Sequence, residues 1–599
     1  MIYHCEDHTC NYWDEGEKLP ERCPQCGRKL LRANEADMTG DDWTALGNTL
    51  WDAEASDKKR MVDCFRKAAY LGSAWGVCNL GICMEQGNGV EADPVQAFWL
   101  YQQAVEMGSL NAVCCLGVCY EYGIGTAPDA EKAAELYCKA AEYGSPRGQM
   151  LLARAFHDGI GVEADAAEAV YWVRAAAYQR YGEGMFRLGV CYEYGDGVEQ
   201  NWEHAVHWFR EAAESGVSAA MTDLGYCYEK GCGVEQSWEQ AFSWYRRGAE
   251  CGYPVSMGNL GLCYKRGYGV EQNWQEAIKW YEQGAQCGDL QSMHNLACCY
   301  ERGEGVDQNE DRALYWYRRS AEGGNGVAMC NLGWCYKRGY GVEQNWQEAV
   351  KWYEQGAQCG NLQSMHSLAY CYERGEGVKQ NMTEAIRWYT AAAEGGNADA
   401  MHNLGWHYDH GEGVEQDMKK AICWYERAAE QNHPAAMNSL GECYAMGRGV
   451  PRDLETAMEW YRRAAELGEA MADYNMGWHL EQAGKLSEAY AHYRKAADGN
   501  DDSAWWALGR FYENGVVVAQ DGKEARRCYE TGEKLGSVKC KMRLARCKLL
   551  GIGGRRAKKA GLDLCRQALE LAKESSEKED YGYEAEMNLL RRTIAENES

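Results

Sequence analysis

Four cysteines near the start of the chain have the residue type and spacing of a metal site. They are Cys5, Cys10, Cys23 and Cys26, and the last two form a Cys-Pro-x-Cys-Gly turn. Four thiolates can surround Zn²⁺ as a tetrahedron, and so short a segment needs such a site because it cannot build an adequate core. We therefore predict a structural Zn²⁺ site in residues 1–33. Iron is the alternative, since thiolates in this geometry suit both metals.

This segment resembles zinc ribbons and rubredoxin-like modules, and GEKLPERCPQCG is close to the second half of the latter. It departs from them in the first half, where four residues separate Cys5 from Cys10 instead of two. His8 or His4 could therefore replace Cys5 as a ligand. Because protein side chains would fill all four positions, we expect a structural role. A sensor whose metal controls partner binding is the alternative function.

No recognisable catalytic motif occurs along the chain. The GxG turns lack the Lys-Ser/Thr pair of a phosphate-binding loop, and neither HExxH nor GxSxG is present. The many glutamates are spread along helical patterns and are interpreted as solvent-exposed. We predict that the protein is not an enzyme.

The elements that must position other functional side chains are copies of one unit of 36 residues. The stretch Leu260–Gly288 returns almost unchanged at Leu332–Gly360. Apolar residues at helical spacing predict a first helix over about Val255–Arg266, and Gly267 and Gly269 permit a tight turn after it.

The second helix of the unit has a clear start signal. Asn273 is a suitable N-cap, and Glu276 three residues later predicts a capping box. Such a helix pair cannot bury its apolar face alone, so successive copies must stack. One residue, glycine or alanine, marks the same place in each copy of the regular register: Gly81, Gly117, Ala153, Gly189, Gly225, Gly261, Ala297, Gly333, Ala369, Gly405, Gly441 and Gly477. The copy from Gly477 to Gly509 is four residues short.

The repeated pattern xxLGxxYxxGxGVxxxxxxAxxWYxxAAxxG resembles the Sel1-like repeat family, relatives of the tetratricopeptide repeat. The resemblance implies an all-α, right-handed α/α solenoid of about fifteen helix pairs that acts as a protein-interaction scaffold. The resemblance also implies a third class of function, that of a hydrolase, but the sequence contains no motif for it. We divide the chain into a ribbon-like module (1–33), a linker (34–40), the repeat solenoid (41–560), and capping helices with a tail (561–599).

In tetratricopeptide arrays the first helix of each repeat lines the concave face. By this resemblance, side chains three residues before and one, four and five residues after the repeat glycine or alanine are expected to face a groove. The position three before holds His294, His366 and His402, and the position four after holds Lys265 and Lys337. The other two positions hold the main candidates. The aromatic members are Tyr226, Trp334, Tyr370, Trp406 and Trp478, and the basic members are Arg266, Arg302, Arg338 and Arg374. Aromatic and arginine side chains dominate interface energetics, and arginine binds carboxylates in a bidentate manner. We predict that the groove binds a protein or peptide segment.

Both sets have a structural alternative. The aromatic side chains could pack beneath neighbouring repeats, and the arginines could form a salt-bridged helix face with Glu301 and Glu373. A further ladder, on the second helices, is expected to be core: Trp208, Trp244, Trp280, Trp316, Trp352, Trp388, Trp424 and Trp460.

Charge and cysteine spacing limit the partners and the compartment. A net charge of −27 and a pI near 5.0 argue against nucleic acid or an anionic membrane as partner. Nine of the 29 cysteines recur two residues after the repeat glycine or alanine, as Cys83 and Cys263 do. Equivalent positions on stacked helices are about 8–10 Å apart, whereas a disulfide needs Cα atoms within about 7 Å. We interpret these cysteines as small buried side chains and predict a cytoplasmic protein.

Overall fold

The computed structural model describes residues 2–5, 13–15, 30–33, 35–51, 55–578 and 584–598. The chain divides into two compact units, residues 1–308 and 309–599.

The first unit begins with a three-stranded antiparallel sheet. Strand β1 (Ile2–Cys5) lies in the middle and pairs with β2 (Trp13–Glu15) on one side and β3 (Leu30–Ala33) on the other. The register pairs Ile2 with Glu15 and Cys5 with Leu30. Of the predicted metal ligands, Cys5 ends β1, whereas the others lie outside the described residues: His8, Cys10, Cys23 and Cys26.

After a short 3-10 helix (Glu35–Asp37), the first unit consists of helices. They are α1 (Gly40–Thr49), α2 (Ala55–Tyr70), α3 (Ala74–Gln86), α4 (Pro94–Glu106), α5 (Leu110–Tyr122), α6 (Ala130–Glu142), α7 (Pro146–Asp158), α8 (Ala166–Tyr178), α9 (Gly182–Tyr194), α10 (Trp202–Glu214), α11 (Ser218–Lys230), α12 (Trp238–Glu250), α13 (Pro254–Arg266), α14 (Trp274–Gln286) and α15 (Leu290–Arg302).

The second unit is helical throughout its described residues. Its helices are α16 (Glu310–Glu322), α17 (Gly326–Arg338), α18 (Trp346–Gln358), α19 (Leu362–Arg374), α20 (Met382–Glu394), α21 (Ala398–His410), α22 (Met418–Glu430), α23 (Pro434–Met446), α24 (Leu454–Glu466), α25 (Ala470–Gln482), α26 (Leu486–Asp498), α27 (Asp502–Asn514), α28 (Gly522–Lys534), α29 (Val538–Leu550), α30 (Lys558–Lys578) and α31 (Glu584–Glu598). The last helix packs on α29 and α30 through Met587 and Leu590.

The turn inside each repeat follows from two glycines, as in α13 and α14. Gly267 ends α13 with φ +74°, and Gly269 has φ +69°. A Cβ atom on Gly269 would lie 2.1 Å from the carbonyl oxygen of Trp238 in the preceding repeat, so only glycine fits there. Asn273 then caps α14 by accepting a hydrogen bond from the Glu276 backbone at 3.1 Å. The predicted capping box is only half formed, because the Glu276 carboxylate pairs with the Lys279 ammonium at 3.2 Å.

A tyrosine of the second helix packs on the repeat glycine of the first. A Cβ atom on Gly117 would lie 2.5 Å from Cε1 of Tyr137, and one on Gly333 would lie 2.5 Å from Cε1 of Tyr353. Tyr137 is among the largest fully buried side chains of the described residues, and Tyr353 is also buried. Glycine therefore lets a ring approach the first helix, and this contact joins the two helices of the pair.

The cysteine ladder is buried beside these rings. Cys83, Cys227 and Cys263 are almost inaccessible to solvent, and burial raises the pKa of Cys263 to about 12. Every cysteine of residues 55–578 is a free thiol. Within the described residues, no helix has both the length and the apolar character needed to cross a membrane.

Candidate functional site

The predicted groove aromatics lie on the first helices of their repeats, divided between the two units. Tyr226 belongs to α11 of the first unit, whereas Trp334, Tyr370, Trp406 and Trp478 belong to α17, α19, α21 and α25 of the second. Three of them are well exposed: Tyr226 at 43%, Trp334 at 37% and Trp478 at 44%. Tyr370 and Trp406 are half-buried.

Tyr370 lies between two cations. The Lys337 ammonium is 4.7 Å from the ring centroid, and the Arg374 guanidinium carbon is 5.7 Å from it. Both distances are in the range of cation–π attraction. Because α17 and α19 contact each other directly, Lys337 of one helix reaches the ring on the next. The site therefore combines an aromatic surface with positive charge in an acidic protein.

The aromatic row is interrupted between Trp406 and Trp478. The equivalent side chain of the intervening repeat is Glu442, whose carboxylate accepts hydrogen bonds from Asn438 at 3.0 Å and from Asn475 at 3.2 Å. Burial raises the pKa of the Glu442 carboxyl. Trp406 stacks on His410 with ring centroids 4.3 Å apart. The continuous part of the row is thus Trp334, Tyr370 and Trp406.

The basic residues divide into an inner and an outer row. The inner lysines are engaged: the Lys265 ammonium lies 2.9 Å from the Glu304 carboxylate, and Lys337 contacts the Trp346 and Tyr370 rings. The outer row is exposed to solvent and consists of Arg266, Arg302, Arg338 and Arg374. Arg302 and Arg374 each have a carboxylate within 4 Å. In the described part of the chain, Arg266 and Arg338 have no ion pair.

A set of glutamates that we interpreted as solvent-exposed is half-buried at the edge of the core. Each accepts a hydrogen bond from the hydroxyl of the buried tyrosine of its own repeat, usually sixteen residues later. The O–O distances are 2.6 Å for Glu85 with Tyr101, 2.9 Å for Glu229 with Tyr245, 2.7 Å for Glu373 with Tyr389, and 2.7 Å for Glu513 with Tyr529. The recurring Glu–Tyr spacing was the signal in the sequence.

The tryptophan ladder of the second helices is less buried than expected. Trp244 is buried, but the other members are only partly covered. Several of these tryptophan rings lie beside an arginine three residues later. The guanidinium carbon of Arg427 is 4.4 Å from the Trp424 ring centroid, and that of Arg463 is 4.5 Å from the Trp460 ring centroid. Tyrosine is therefore the core residue of the Trp-Tyr pair, and tryptophan covers it from the outside.

Histidines three residues before the repeat position do not form a metal site. His402 is covered on most sides, and burial lowers its pKa to about 4. Its Nε2 atom lies 3.3 Å from the Ser439 hydroxyl, and its ring lies 5.1 Å from that of His433. Within the described residues, no group of three or more His, Cys, Asp or Glu side chains could hold a metal ion.

Comparison with known proteins agrees with this architecture. The Sel1 repeat model matches thirteen consecutive segments, from residues 76–109 to residues 504–537. The chain belongs to the Sel1 repeat family. One similar solved structure is the crystal structure of c5321, a protective antigen present in uropathogenic Escherichia coli strains and displaying an SLR fold. It is 32% identical to this chain and superposes with a TM-score of 0.51. The match covers 75% of this chain and 97% of c5321.

A second similar structure is a Sel1 repeat protein from Oxalobacter formigenes, also 32% identical. It covers 41% of this chain, is itself covered over 96% of its length, and has a TM-score of 0.37. No curated protein matches the sequence. Sel1 repeat solenoids are commonly protein-interaction scaffolds, and they generally lack enzymatic activity.

Proposed function

We propose that this Sel1 repeat protein is a non-enzymatic scaffold that binds peptide segments along the first helices of its second unit. The observation that carries the proposal is the surface formed by Trp334, Tyr370 and Trp406 with Arg338 and Arg374 beside it. Such a surface favours a peptide with an apolar or aromatic anchor flanked by acidic residues, because arginine pairs with carboxylates and exposed aromatic rings gain from desolvation.

Direct contacts between neighbouring first helices support the position of this surface. They occur between α11 and α13 in the first unit and between α17 and α19 in the second. Second helices of successive repeats contact each other less in the described residues. A concave inner row requires that neighbouring first helices lie closer to each other than neighbouring second helices do. The aromatic rings of that row would then face an extended ligand.

The experiment is a selection of random peptides on the full chain, followed by affinity measurements. We expect selected peptides to combine an aromatic or apolar anchor with Asp or Glu. The triple variant Trp334→Ala, Tyr370→Ala, Trp406→Ala should bind them at least about thirtyfold more weakly, because a hot-spot residue contributes 2 kcal/mol or more. Its circular dichroism should match that of the wild type.

A matched control removes three other exposed aromatic side chains, those of Trp99, Tyr171 and Tyr315, which lie on second helices. This variant should bind as the wild type does. Equal binding by both triple variants and the wild type would show that the first helices are not the binding surface.

We further propose that residues 1–33 hold one structural Zn²⁺ through Cys5, Cys10, Cys23 and Cys26, with His8 as a possible replacement for Cys5. Support comes from the strand register, since Cys5 is paired with Leu30, which follows Cys26 by only four residues in the sequence. Four thiolates suit Zn²⁺ and leave no open position for catalysis.

Metal analysis of the purified chain tests this site. About one zinc per chain is expected for a four-ligand site. The variant Cys23→Ser, Cys26→Ser should lose the metal, whereas Cys251→Ser, which changes an exposed repeat cysteine, should keep it. Detection of iron in place of zinc would change the identity of the assigned metal. Retention of the metal by the double variant would contradict the site.

A further inference from the structure

The ladder of buried aromatic rings has one gap. Apart from α8, each second helix from α4 to α28 carries a buried ring at the position that faces the repeat glycine or alanine, as Tyr137 does in α6 and Phe209 in α10. In α8 this position is Val173. The usual glutamate partner of the tyrosine hydroxyl is also replaced in this repeat, by His157. The ring and its hydrogen-bond acceptor are therefore missing together.

A pocket of about 440 Å³ lies at this gap, between α7, α8 and α9. Its apolar wall includes Ala153, Val170, Val173 and Val190. Ala153, Val170 and Val173 are buried, at 3%, 3% and 6% exposure. Pockets for small molecules span roughly 300–1,000 Å³ and combine apolar walls with a few polar groups. The missing ring thus leaves a space of the right size and polarity for a small ligand.

Three arginines line the same pocket: Arg147, Arg154 and Arg187. The Arg187 Nε atom donates to Glu183 at 3.1 Å, which leaves its two terminal nitrogens without a partner among the described residues. Arg154 is bonded to Glu121 and to the Tyr122 hydroxyl. The acidic groups of the pocket are also engaged.

Arg147 differs from the other two because it has no carboxylate partner in the described residues. Its hydrogen bond goes to the Cys115 Sγ atom at 3.7 Å. The two aspartates that line the pocket pair with a histidine instead, since His157 lies 2.7 Å from Asp158 and 3.2 Å from Asp196. Arg147 and Arg187 therefore retain N–H groups that can bind an anion at the pocket.

This arginine set occurs at no neighbouring repeat. One repeat later, the equivalents of Arg147, Arg154 and Arg187 are Glu183, Val190 and Asp223, and one repeat earlier they are Asn111, Val118 and Leu151. The arginines are therefore specific to the repeat that lacks the core ring.

We propose that the pocket binds a small aromatic carboxylate. Its ring would occupy the space that a core tyrosine or phenylalanine fills in the other repeats, and its carboxylate would pair with Arg147 and Arg187. The site lies entirely in the first unit, so it does not depend on peptide binding by the second.

The test is calorimetry of the full chain with 4-hydroxyphenylacetate and with p-cresol, which has the same ring without the carboxylate. For an acid of about eleven heavy atoms we expect a Kd on the order of 0.1 mM. We expect p-cresol to bind at least about tenfold more weakly, since hydrogen bonds to charged groups are strong. Absence of binding by the acid at millimolar concentration, or equal binding of both compounds, overturns the proposal.

Three variants locate the site. Val173→Phe restores the ring that Phe209 supplies one repeat later, and it should abolish binding while raising the Tm. Arg187→Gln, on the exposed rim, should weaken binding of the acid about tenfold and leave p-cresol unchanged. Arg180→Gln is the charge-matched control outside the pocket, since Arg180 pairs with Glu211 at 3.3 Å. Unchanged binding by Val173→Phe, or equal losses in the two arginine variants, overturns the assignment.

Discussion

Two near copies within the chain show which positions build the scaffold and which vary on its surface. Residues 260–309, all but the last of which lie in the first unit, and residues 332–381 of the second share 44 of 50 positions. Their helices have the same lengths, and the turn glycines Gly267 and Gly339 have φ values of +74° and +73°. Among the six differences, Leu262 becomes Trp334 and Cys298 becomes Tyr370. The shared residues make caps, turns and core, and both of these substitutions add an aromatic ring beside the first helices.

One of these substitutions changes a lysine contact. In the first copy the Lys265 ammonium lies 2.9 Å from Glu304. In the second copy the equivalent Lys337 lies over the Tyr370 ring, and an oxygen of Glu376, the equivalent of Glu304, is buried with no hydrogen-bond partner. Tyr370 therefore diverts the lysine from an ion pair to a ring, and the same backbone presents a different surface.

The largest effect should be the same in both copies, because it concerns the shared core. Tyr281→Ala and Tyr353→Ala each remove a buried ring that packs on the repeat glycine. We expect each to lower the free energy of unfolding by about 3–5 kcal/mol in denaturant titrations. A difference of more than about 2 kcal/mol between the copies would mean that their cores are not equivalent.

The repeat register, the two helices and the glycine turn could be predicted from the sequence, because a 36-residue period and residues such as Gly269 and Asn273 carry local conformational information. Burial depth could not. Trp280 and Tyr281 are neighbours with similar apolar character. Only the packing shows that the Tyr281 ring lies against Gly261, whereas Trp280 is partly exposed on the outside of the repeat. The groove side chains were located on first helices by resemblance, but the contact of Lys337 with Tyr370 depends on distances between repeats.

The next effect should distinguish the copies. The double variant Trp334→Leu, Tyr370→Cys gives the second copy the surface residues of the first. We expect peptides selected on the wild type to bind it about thirtyfold more weakly, which corresponds to about 2 kcal/mol, with an unchanged unfolding midpoint. The reciprocal variant Leu262→Trp, Cys298→Tyr serves as the control for gain of binding. If the first double variant binds as tightly as the wild type, these differences between the copies have no role in recognition.

A smaller effect tests the tyrosine hydroxyls. Tyr389 donates to Glu373 at 2.7 Å, so Tyr389→Phe should cost about 1.5 kcal/mol of unfolding free energy. The Tyr281 hydroxyl is buried without a partner, because Lys265 stands where most repeats have glutamate. Tyr281→Phe should therefore be neutral or stabilise by up to about 1 kcal/mol. Equal costs of the two changes in the same denaturant series would contradict the Glu–Tyr pairing as a source of stability.

The smallest effect concerns the lysine contact itself and separates the ring from the ion pair. A double-mutant cycle of Lys265→Met and Glu304→Gln should give a coupling energy of about 0.5–1 kcal/mol, as for a partly exposed ion pair. The same cycle on Lys337 and Glu376 should give about zero. In a Tyr370→Cys background, however, the second coupling should rise toward the first, because the ring no longer attracts the ammonium. If the coupling stays near zero there, Tyr370 is not what separates Lys337 from Glu376, and the two copies differ for a reason other than this substitution.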